Sequence, residues 1–98
     1  MSKDARYKTI QDLILKGYIT SLSEIFEKEL VSRSKVARDL GLNPTRFAAN
    51  LKHPERFILK DLYAFADLLE IERMALLQLV DNDYHTSQKQ KTRKTKGD

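Results

Sequence analysis

Apolar residues recur along this chain at the three- and four-residue spacing of an α-helix, and no segment shows convincing strand alternation. Only three glycines and two prolines interrupt the pattern. A chain built this way can bury its apolar stripes only by stacking short helices on one another, so an all-α, compact helical bundle is expected. At 98 residues it is one domain's worth, with a modest core.

The breaks divide the chain into six helical runs. Tyr7, Ile10, Leu13 and Ile14 mark the first, which Gly17 stops. Ser21-Leu22-Ser23-Glu24 reads as a capping box opening a second, with a stripe of Leu22, Ile25, Phe26 and Leu30. A third spans about Arg33 to Leu40 and ends at Gly41. Asn43-Pro44 opens a fourth, because Asn caps well and Pro at the first position lacks only an amide that would be unpaired there. His53-Pro54 closes it. A fifth runs from about Leu59 to Glu70 and a sixth from about Glu72 to Val80. Apolar residues nearly encircle the sixth, so two of its sides are buried: one on the core, the other on a second chain or under the N-terminal helix. From Asp81 the apolar pattern stops, and the polar, basic end is expected to be disordered. The expected organisation is an N-terminal helical extension over 1–20, a central domain over 21–81 and a disordered basic tail over 82–98.

Charge is distributed unevenly. Residues 33–60 carry seven Lys or Arg against two acids, and residues 61–83 carry one base, Arg73, against six acids. The tail from Tyr84 adds five bases and one acid. A basic middle beside an acidic flank points to a polyanion as the partner of the middle. There is no cysteine, the two histidines lack metal-ligand spacing, and there is no nucleophile beside a base and no glycine-rich phosphate loop. No enzyme activity, metal, cofactor or small-molecule substrate is therefore predicted. The absence of a long apolar run and of a signal-peptide core leads to the expectation of a cytoplasmic protein without membrane association.

The centre of the pattern is two short helices joined by Gly41-Leu42-Asn43. Ala37 is small where the helices must approach, Gly41 allows the positive backbone angle, Leu42 fills the corner, and Val36, Leu40, Phe47 and Leu51 set the crossing. Val36-Ala37-Arg38-Asp39-Leu40-Gly41-Leu42-Asn43, followed by Phe47 and Leu51, resembles the core of the lambda-repressor-like (Xre-type) helix-turn-helix domains. Leu59 to Ile71 together with Leu76-Leu77 is similar to that family's last two helices, and the resemblance covers about residues 21–80. Pro44 stands where the family commonly has Gln.

The resemblance implies a sequence-specific regulator, a repressor of phage or mobile-element type, binding double-stranded DNA as a homodimer. Within that reading Thr45, Arg46, Ala49 and Asn50 are expected at base edges, since Arg matches guanine and Asn adenine. Arg33, Ser34, Lys35, Arg38, Lys52, His53, Arg56 and Lys60 are expected at phosphates. Met74 and Leu77 are the expected dimer contacts. The alternative is a helical protein–protein adaptor, which would show apolar or mixed residues on the outward face of the fourth helix.

Overall fold

The computed structural model describes residues 5–96, with side chains through residue 86. Its helices are α1 (Ala5–Leu15), α2 (Leu22–Glu27), α3 (Arg33–Leu40), α4 (Pro44–Lys52), α5 (Leu59–Leu69) and α6 (Arg73–Lys96), with one 3-10 turn at Pro54–Arg56 and no strand among the described residues. The all-α expectation holds.

Each helix start has a local cause. Ser21 Oγ accepts from the Glu24 amide at 3.4 Å, Ser32 Oγ from the Lys35 amide at 3.1 Å, and Asn43 Oδ1 from the Arg46 amide at 3.0 Å. These bonds satisfy amides that a helix start leaves without partners. In the capping box, Glu24 reaches back one residue further than the pattern implies. Its Oε1 accepts from the Thr20 amide at 2.6 Å and the Thr20 hydroxyl at 3.1 Å. Four ends close through a left-handed residue: Gly17 at φ 82° and Gly41 at φ 75°, and Glu29 and Glu70 at φ 57°. Glycine takes this conformation freely, whereas a glutamate there is strained by its Cβ.

Phe47 of α4 is the hub of the core. It is 1% exposed and makes edge-on contacts with Phe26 of α2, Phe57 and Phe65 of α5, at centroid separations of 6.1, 6.0 and 6.0 Å. Val36 and Ala37 of α3, Leu62, Ala66 and Leu69 of α5, and Leu76 and Leu79 of α6 complete the buried set around it.

Two parts of the expected organisation are revised. Residues 5–15 are no extension, because α1 lies on α5 with Tyr7 and Ile10 inside the common core. Tyr7 also donates its hydroxyl proton to Asp39 Oδ2 of α3 at 2.6 Å, and Gln11 Nε2 donates to the Glu70 carbonyl at 2.9 Å. The predicted tail is also helical, since α6 continues through Lys96. Nothing in residues 81–96 breaks a helix, and Gln, Lys and Arg are good helix formers. Cations near a helix C-terminus are favoured by its dipole.

A tertiary anchor also fastens α6 beyond its apolar stretch. Asp83, 9% exposed, accepts from the Leu22 amide at 2.9 Å, the Ser23 amide at 3.3 Å and the Ser23 hydroxyl at 2.8 Å. Asn82 Nδ2 donates to the Thr20 carbonyl at 2.6 Å. Thus α6 supplies the carboxylate that caps the start of α2. Burial pushes the Asp83 carboxyl above its ordinary value, against the hydrogen bonds that pull it down.

Candidate nucleic-acid interface

The residues of α4 divide sharply. Phe47 and Asn50 are buried and Leu51 is half-buried, while Thr45, Arg46, Lys52 and His53 are exposed and Ala49 half-exposed. Helical spacing explains the division. Phe47, Asn50 and Leu51 stand at i, i+3 and i+4 on the side facing the core, and Thr45, Ala49 and Lys52 repeat on the opposite side. Asn43 and Pro44 fix where this register starts, and Gly41 with Leu42 fixes how α4 leaves α3. The Leu42 amide donates back to the Ala37 carbonyl at 2.8 Å, closing the end of α3.

The expected base-reading set is therefore split. Thr45 and Arg46 are open to solvent and Ala49 lies between them and the core, but Asn50 is only 7% exposed. It stands three residues after Phe47 and four after Arg46, on the arc between them, and the fold closes over it while leaving Arg46 open.

Of the residues expected at phosphates, Arg33, Ser34, Arg38, Lys52, His53, Arg56 and Lys60 are all exposed. Lys35 is not available in the same way. It is half-buried, its Nζ lies 3.0 Å from Asp39 Oδ2, and it sits 5.7 Å from the centroid of the Tyr7 ring. A carboxylate that also takes the Tyr7 proton holds this cation at the α1–α3 junction. Arg33 lies 6.0 Å from the centroid of the Phe26 ring. His53 Nδ1 is 4.0 Å from Glu55 Oε2, an attraction present only when the imidazole is protonated. By contrast Arg38, Arg46, Lys52, Arg56 and Lys60 form no ion pair with an acid among the described residues. The basic middle of the sequence thus becomes exposed, uncompensated cations on α3, α4 and the segment entering α5.

Beside α4 runs an open groove of about 850 Å³. It is lined by Ala48, Leu51 and Lys52 of α4, by Glu24, Phe26 and Glu27 of α2 with Arg33 of α3, and by Asn82, Asp83 and Thr86 of α6. On another side of α6, Met74 is 72% exposed, and Leu77, Val80 and Tyr84 line a shallower recess with Pro54. No group of side chains that could hold a metal ion occurs among the described residues, and no helix there is long and apolar enough to cross a membrane. Comparison with known protein families, with curated proteins and with solved structures gives no match.

Proposed function

We propose that this chain binds double-stranded DNA sequence-specifically, with α3 and α4 acting as a helix-turn-helix and α4 lying in the major groove. The observation that carries the reading is the outward surface of α4: Thr45 and Arg46 are exposed and Ala49 half-exposed, bordered by cations with no acidic partner among the described residues. An α-helix fits the major groove, and an arginine reaching a base edge there can bond both acceptors of guanine. Arg38 and Arg33 on α3, with Lys52, Arg56 and Lys60, are all exposed, and on this reading they meet phosphates and fix the approach. An adaptor role is disfavoured by the same surface, which offers a protein partner no exposed apolar anchor on α4.

On this reading the protein acts as a repressor-like regulator and pairs as a homodimer on a two-fold related site. The exposed Met74 and the half-buried Leu77 of α6 supply the apolar contact. Sedimentation at micromolar concentration is expected to show a species larger than the monomer; a monomer persisting on DNA removes the pairing.

Titration onto mixed-sequence duplexes at low and moderate salt tests the main claim. Binding that weakens steeply with salt is expected, because each neutralised phosphate releases counterions. Absence of binding at low salt, or binding indifferent to salt, would falsify it.

A further inference from the structure

Resting on the DNA-binding reading, we propose that the basic continuation of α6 is a second contact to the same duplex, gripping the sugar–phosphate backbone beside the groove that α4 enters. Three observations carry this.

First, α6 is a helix through Lys96, so its end projects along a fixed axis. That axis is set where α6 crosses the start of α2. Asp83 caps the Leu22 and Ser23 amides there, and Asn82 donates to the Thr20 carbonyl. From Thr86 to Lys96 the helix advances roughly 15 Å, which exceeds the major groove's width of about 12 Å.

Second, Asn82, Asp83 and Thr86 line the same groove as Ala48, Leu51 and Lys52 of α4. The continuation of α6 therefore starts from a groove that Lys52 of α4 also lines. Helical register assigns positions 89, 93 and 96 to the same arc as 82 and 86, within roughly 80°. Positions 91 and 94 fall outside it.

Third, the charges suit a polyanion. Lys89, Arg93 and Lys96 occupy that arc, and no acid occurs between Tyr84 and Lys96. The groove lining itself also carries Glu24, Glu27 and Asp83. These carboxylates oppose a phosphate seated inside the groove, and Arg33 and Lys52 of the same lining, with the bases of the α6 continuation, are the charges that attract it. The partner is then a strand straddling the groove, not a ligand seated inside it.

The test compares two double substitutions of equal charge in the full chain, Lys89→Gln with Arg93→Gln, and Lys91→Gln with Lys94→Gln. Glutamine keeps helix propensity, and far-ultraviolet circular dichroism checks that both remain folded. Binding to one duplex is measured over a range of salt. The first pair is expected to lower affinity about tenfold or more at low salt and to reduce the magnitude of the salt slope by roughly two. The second pair is expected to change the slope by less than half as much. Equal losses from the two pairs would show sequence-blind attraction to a charged tail and overturn the proposal, as would no loss from either while the parent still binds. A parent chain that binds no duplex rejects the underlying DNA reading, and this inference falls with it.

Discussion

The polar residues of α4 and of α6 do opposite work. On α6, Asn82 and Asp83 are consumed by the backbone of α2, and the carboxylate is nearly hidden in doing so. On α4, Thr45 and Arg46 face open solvent, and Arg46 forms no ion pair among the described residues. The difference lies in what each helix faces. Asp83 sits in the buried period of its helix, seven residues after Leu76 and four after Leu79, opposite unsatisfied amides that need an acceptor. The outward side of α4 meets no such group, because its core side is filled by Phe47 and its own start is capped by Asn43. Polar side chains serve the fold where a neighbouring element leaves orphan amides, and they remain free for a partner where none does.

The comparison breaks most readily at the hub. Phe47→Ala removes the ring shared by α2, α4, α5 and the segment before it, and is expected to cost about 3–5 kcal/mol, enough to unfold much of a small domain. Chemical denaturation checks this; a cost below about 1 kcal/mol would mean that α4 is not held by its core side. Asp83→Ala strips the Leu22 and Ser23 amides of their acceptor and is expected to lose about 1–3 kcal/mol, whereas Arg46→Ala is expected to leave the denaturation midpoint within about 0.5 kcal/mol of the parent's stability.

The left-handed helix ends sharpen the contrast on a smaller scale. A Cβ at Gly41 meets no atom within 4 Å, so Gly41→Ala is expected to cost only backbone strain, about 1 kcal/mol. Glu29→Gly relieves the same strain and is expected to gain up to about 1 kcal/mol. Equal thermal midpoints for both variants and the parent would contradict this.

The smallest effect is in pH. The Thr20 amide holds the Glu24 carboxyl below its ordinary value, so its stabilisation is complete above the unfolded value and is lost as pH falls through the folded one. Asp83 has the opposite sign: raised by burial, it favours folding on the acid side and loses that contribution as pH rises through its folded value. In denaturation series from about pH 5 towards 3, Glu24→Gln is expected to flatten the decline in stability, and an unchanged decline would contradict the assignment.

Much of this architecture is legible along the chain, for local reasons. The bounds of α3 and α4 follow from Gly41, Asn43-Pro44 and His53-Pro54, whose preferences act within one turn. Asn50 stands three residues after Phe47 and four after Arg46, so its spacing leaves both sides open, and its polarity suggests the outside. What could not be read depends on contacts distant in sequence. The length of α6 rests on helix formers anchored by Asp83 to residues 60 and 61 positions earlier. The capture of Lys35 rests partly on Tyr7, whose hydroxyl crosses from α1 to Asp39. Within the candidate interface, types and register were visible, while availability depended on neighbours supplied by the fold.

The most direct measurement is selection of bound sequences from a random duplex pool, run in parallel with the parent and with Arg46→Ala. The parent is expected to enrich one defined site, and the variant to lose preference at a guanine within it by about 1–3 kcal/mol while remaining folded. Enrichment of nothing by the parent, or of the same site with unchanged preference by the variant, would contradict the claim that the open side of α4 reads DNA.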